Sequence, residues 1–104
     1  MEKVYVYKNS SGDYRVHPGV VVLTGGNKLR IVNATGVTMK VVMPAGASKP
    51  HDPVEVEIPS EDQDDITTRS QGSKKTKSYS YVVMTKSSRK KALGNSDPIL
   101  IIEN

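Results

Sequence analysis

Apolar and polar residues alternate with period two through much of this chain, as half-buried strands require. Lys3 to Lys8 sets Val4 and Val6 against Tyr5 and Tyr7, and Asn9-Ser-Ser-Gly-Asp13 then supplies turn residues. Tyr14 to Gly19 reads as extended, with Pro18 marking an edge or a break. Val20-Val-Val-Leu23 is a short apolar strand, and Gly25-Gly-Asn27 offers the positive-φ residues of a tight hairpin turn. Lys28 to Asn33 follows with Leu29 and Ile31 on one face, Ala34-Thr-Gly36 turns the chain, and Thr38 to Met43 ends at Pro44. Ala45 to Pro53 is small, polar or Pro, the composition of an irregular loop.

The second half repeats the style. Val54, Val56 and Ile58 alternate with Glu55 and Glu57. Ser60-Glu-Asp-Gln63 has capping-box spacing, which predicts a single helical turn over Glu61 to Asp65. Ile66 to Arg69 is a short strand and Ser70 to Lys75 a basic turn. Tyr79 to Met84 alternates again, Lys86 to Asp97 is a long polar loop, and Pro98 to Ile102 is wholly apolar. Such a loop between two buried strands is a common place for working residues. About eight short strands at such intervals predict an all-β domain over residues 1–104. The expected form is a two-sheet Greek-key β-sandwich with at most one helical turn.

Val20–Leu23 and Ile99–Ile102 break the alternation, being apolar on both faces. A two-sheet sandwich exposes one face of each strand, so something should cover the outward residues. Either Leu100 and Ile102 or Ile99 and Ile101 point outward. The Ala45–Pro53 loop or a second copy of the chain could cover them, which makes a homo-oligomeric or protein-binding face an expectation.

Composition narrows the chemistry. The chain has 104 residues, enough for one modest core. It has no Cys, so it offers neither a disulfide nor a thiolate. The N-terminal residues carry no run of signal-peptide length, and no segment is long enough to span a membrane. The expected compartment is cytoplasmic by default, or exported if a leader has been removed.

A net charge of +4 is mild, but its distribution is segregated. Asp52 to Asp65 holds seven acids and no base, and Ile66 to Lys91 holds eight bases and no acid. Arg69, Lys74, Lys75, Lys77, Arg89, Lys90 and Lys91 are the candidate anion- or partner-binding residues. If the loops 69–77 and 86–91 adjoin, they form a cationic patch for nucleic acid or another polyanion. Tyr79 and Tyr81 are expected to serve the core there instead of stacking on bases.

Other candidates are weaker. Met39, Met43 and Met84 could offer thioethers to Cu(I), although Met commonly fills gaps in cores. His17 and His51 would need Asp13 or Asp52 to complete a metal site. Glu61, Asp62, Asp64 and Asp65 lack the glycine and closing Glu of a calcium loop. Asn33-Ala-Thr35 and Asn9-Ser-Ser11 fit the glycosylation pattern. The chain has no nucleophile elbow with Ser-His-Asp order, no paired buried carboxylates, and no Gly-rich phosphate loop entering a helix. No enzymatic activity and no cofactor are therefore expected.

Two segments together resemble the cupredoxin family. His17 to Gly36, continuing through Val37 to Met43, resembles that family's strand, Gly turn, strand ending in Asn, Gly and next strand. Tyr79-Ser-Tyr-Val-Val83 resembles its Tyr-x-Tyr-x-Cys strand, and Ile99 to Glu103 its closing strand. The resemblance covers roughly Tyr14 to Met43 and Lys77 to Asn104 and implies a β-sandwich. Its type 1 copper site would take a His at the position of Met39, a Cys at Val83 and a second His near Lys86. With those ligands replaced, the resemblance implies a copper-free module in which the old site has become core.

Overall fold

The computed structural model describes residues 2–49, 54–71, 76–92 and 97–103. Its eleven strands are β1 (Glu2–Lys8), β2 (Tyr14–His17), β3 (Val20–Thr24), β4 (Lys28–Ala34), β5 (Met39–Met43), β6 (Ser48–Lys49), β7 (Val54–Ile58), β8 (Gln63–Thr68), β9 (Lys77–Ser80), β10 (Val82–Thr85) and β11 (Ile99–Glu103). The domain is all-β, as the alternating pattern predicts. A five-stranded sheet runs β2-β1-β4-β8-β6, and two three-stranded sheets run β10-β5-β7 and β3-β11-β9. The β1–β4 and β3–β11 pairs are parallel, and the other pairs are antiparallel.

There are thus three hydrogen-bonded sheets where two were expected, and Pro98 supplies the reason. β9 and β10 are separated by Tyr81 alone. Ser80 pairs with Ile99, and the Tyr81 N–H donates to the Pro98 carbonyl at 3.0 Å. Pro98 has no N–H to return the bond. The ladder with β11 stops, and from Val82 onward the strand pairs with β5 instead.

Two local expectations fail for identifiable reasons. Gly26 does take positive φ (93°), and Asn27 N–H closes the turn on Thr24 O at 3.1 Å. But β3 and β4 belong to different sheets, so this turn changes layer and is no hairpin. The helical turn over Glu61 to Asp65 is absent too. Glu61 sits at φ 63°, which a right-handed helix does not accept. Its N–H donates to Asn33 O, and the Asn33 N–H donates to Asp62 O, both at 2.8 Å. That exchange extends the β4–β8 ladder and commits Gln63 onward to strand.

The core lies between the layers. Val4, Val6, Leu29, Ile31, Met39, Val41, Met43, Ile58, Tyr81, Val83, Leu100 and Ile102 are completely or almost completely buried. Ser48, Thr68 and Thr85 are buried with them, and so is Asn33. Its Nδ2 donates to the carbonyls of Val37 and Ile58, each at 2.8 Å. Its Oδ1 accepts from the Thr35 N–H (3.1 Å) and hydroxyl (2.6 Å). A buried amide with both ends engaged fixes the corner leaving β4. It is also sealed away from solvent, so the Asn33-Ala-Thr35 tripeptide is no surface glycosylation acceptor in the folded protein.

Candidate functional site

The loop after β10 resembles a ligand loop in sequence, but its first half folds back on its own strand. Thr85 N–H donates to Lys90 O at 2.9 Å, Ala92 N–H to Val83 O at 2.7 Å, and Met84 bridges Lys91. The Thr85 hydroxyl lies 2.6 Å from that of Ser88 and accepts from the Lys90 N–H at 3.0 Å. Arg89 takes φ 54° to close the turn.

The positions matching copper ligands are occupied by core and by an ion pair. Met39 faces Thr85 across the β5–β10 pair, Val83 faces Val41, and both Met39 and Val83 are fully buried. Lys86 is exposed, with its ammonium 2.9 Å from Glu57 and its N–H on Thr38 O. A thioether, an aliphatic chain and an ammonium do not fit a type 1 copper centre, which needs thiolate and imidazole donors. The methionines do not converge either. Met39 and Met43 point into the core, whereas Met84 lies opposite Lys40 on the other face. His17 is exposed beside the cis His17–Pro18 bond. His51 and Asp52 lie outside the described residues. Among the described residues no three His, Cys, Asp or Glu side chains form a metal-binding group.

The basic candidates fall at two ends of the molecule. Lys77 opens β9, and Lys86 to Lys91 follow the end of β10. The intervening extended residues separate the two groups by roughly 25–30 Å at about 3.3 Å per residue. Arg69 lies at the Lys77 end, where its guanidinium donates to Ser48 O at 3.1 and 3.2 Å. Arg89, Lys90 and Lys91 are exposed at the other end, with Lys91 3.6 Å from Asp97. Lys74 and Lys75 lie outside the described residues. No shared patch forms among the described members of the two loops. Instead Lys90 and Lys91 join Gly12, Asp13, Tyr14 and Arg15 around one cleft.

Tyr81 is buried, as the sequence suggests, and burial pushes its phenol well above its ordinary value. Its hydroxyl has no hydrogen-bond partner among the described residues. Tyr79 is half-buried and donates to Gln71 Oε1, while the Gln71 amide donates to Gly46 O and Arg69 O. Those contacts pin the described part of the 45–53 loop beside β8 and Tyr79.

The described part of that loop therefore lies away from the outer face of β3 and β11. Leu100 and Ile102 point inward and are fully buried, so Ile99 and Ile101 face outward. They lie directly opposite Val20 and Val22, which are 52% and 47% exposed. Ser78 and Ser80 of β9 complete the rows. This face carries no charge on its central rows.

The outer face of the five-stranded sheet differs completely. One row reads Arg15, Tyr7, Ala34, the next His17, Tyr5, Val32, Gln63, and a third Lys3, Arg30, Asp65. Arg30 grips Asp65 through two hydrogen bonds of 2.8 and 3.1 Å. These bonds hold the Asp65 carboxyl below its ordinary value. Tyr5 and Tyr7 remain 45% and 38% exposed. Their alternation with Val4 and Val6 is plain in the sequence. Which residues flank them becomes visible only through the β2-β1-β4 order. Compared with known proteins, the chain matches no protein-family model, and none of the curated proteins matches it.

Proposed function

We propose that this chain is a copper-free, cupredoxin-like binding module without catalytic chemistry, acting through protein contact and chiefly through self-association. Parallel β1–β4 and β3–β11 pairs, and a strand divided between β11 and β5, are compatible with that topology. The side chains at the ligand positions favour a scaffold role over electron transfer.

One observation carries the reading: the outward rows Val20–Ile99 and Val22–Ile101, whose valines are exposed and whose isoleucines are half-buried. Apolar side chains in contact with water on a β sheet favour association. The central rows carry no charge to select a charged partner, Glu103 standing at their margin, and two copies meeting about a two-fold axis place like on like. The occupant of the face is therefore a second copy of the chain. Light scattering during size-exclusion chromatography tests this. The wild type should shift from monomer towards dimer mass as concentration rises, and Val22→Glu should remain monomeric because the two-fold would oppose two carboxylates. A constant monomer mass for the wild type at high concentration would overturn the reading.

A further inference from the structure

We propose that the outer face of the five-stranded sheet binds single-stranded nucleic acid, with Tyr5 and Tyr7 as stacking groups and Lys3, Arg15, Lys90 and Lys91 as phosphate contacts. The two tyrosines stand two residues apart on β1 and project from the same side of the sheet. Strand geometry sets them about 6.5–7 Å apart along the strand, a spacing that an extended single strand can match with successive bases. Directly opposite them on β4 are Val32 and Ala34, which are too short to cover a ring. Exposed aromatic rings on a sheet serve as sequence-tolerant stacking platforms because every base offers a π face.

Charge selects the ligand class. Lys3, Arg15, Lys28 and Arg30 stand on this face, and its carboxylate, Asp65, is engaged by Arg30. Past Arg15 the cleft continues the cationic track to Lys90 and Lys91. Asp13 lines that cleft 3.8 Å from Arg15, and Asp97 lies 3.6 Å from Lys91, so the three cations there outnumber two carboxylates. Rings in the middle with cations at both ends, Arg15 beside Tyr7 and Lys3 past Tyr5, give an arrangement that a phosphodiester strand can follow. A duplex hides its base faces, so the platform discriminates against it. The site is separate from the Val20–Ile101 face and independent of it.

The test is fluorescence anisotropy of a labelled oligothymidylate and of a duplex of equal length, titrated with the whole chain. The single strand should bind at least tenfold tighter than the duplex. Its affinity should fall about fiftyfold between 50 and 200 mM salt, as release of counterions from the four phosphate contacts requires. Tyr5→Ala/Tyr7→Ala should weaken binding at least tenfold, whereas Tyr5→Phe/Tyr7→Phe, which keeps both rings, should stay within about twofold of wild type. Circular dichroism confirms that each variant is folded. No single-strand binding at low salt, equal affinity for duplex, or an Ala variant that binds like wild type would each overturn the proposal. Heparin binding insensitive to the tyrosines, or capture of an acidic protein in place of the oligonucleotide, would do so as well.

Discussion

The two outer sheet faces share a plan and differ in chemistry. On β3 and β11 the inward residues Val21, Leu23, Leu100 and Ile102 are buried, and the outward ones are again Val and Ile until Thr24 and Glu103 close the face. On β1 and β2 the inward residues Val4, Val6 and Val16 are equally buried, but the outward ones are Tyr, Arg, Lys and His. Folding dictates only the inward half of each pattern. The outward half is left for other purposes, so the contrast between the faces is where function is written. A face uncharged on its central rows favours like surfaces, and an aromatic, cationic face favours a polyanion.

The largest test of that contrast compares neighbours on β11. Leu100→Ala removes a fully buried side chain and should cost about 2–5 kcal/mol in denaturant unfolding. Ile101→Ala, one residue on and facing outward, should cost about 1 kcal/mol or less. Equal losses would mean that the outward row is as deeply packed as the inward one. Next, Val22→Glu should abolish concentration-dependent dimerisation while leaving monomer stability within about 0.5 kcal/mol. A large loss of stability would place Val22 in the core.

Tyr81→Phe is a smaller effect of opposite sign. Removing a buried hydroxyl without a partner among the described residues should leave stability unchanged or raise it by up to about 1 kcal/mol. A clear loss would reveal a partner for that hydroxyl. The smallest effect concerns the Arg30–Asp65 pair on the cationic face. Its folded carboxyl is the stronger acid, so the pair adds stability above the ordinary aspartate value of about 3.9 and loses it as pH falls through the lower folded value. In Asp65→Asn the thermal midpoint should fall less steeply across that acid window than in wild type. Identical slopes would show the pair to be energetically silent.

Alternation made much of this fold legible. Val4 and Val6, Leu29 and Ile31, and the Val54–Ile58 strand declare their faces without a structure. Val20–Leu23 and Ile99–Ile102 do not, because a run apolar on both sides has no period to read. Only the register with β9 and the burial of Leu100 decided it. The Glu61 turn misled because capping-box spacing is a local signal, and the backbone bonds of Asn33 are a long-range competitor that won. Whether the basic loops adjoin was illegible for a similar reason. A run of cations in sequence says nothing about the extended strand between them, which carries its two ends far apart. Tyr5 and Tyr7 were visible as an alternation, but their neighbours Arg15 and His17 come from a different strand.

The parallel pairing of β3 with β11 has a consequence for the order of events during synthesis. Val20 finds its partner in Ile99, roughly eighty residues further along the chain, so the pair forms late and closes a long loop. Until then Val20-Val-Val-Leu23 has an aggregation-prone composition and an open ladder on both sides. The emerging chain must keep that segment out of trouble until residues 99–103 have been made, and the rate at which β11 arrives sets how long the exposure lasts.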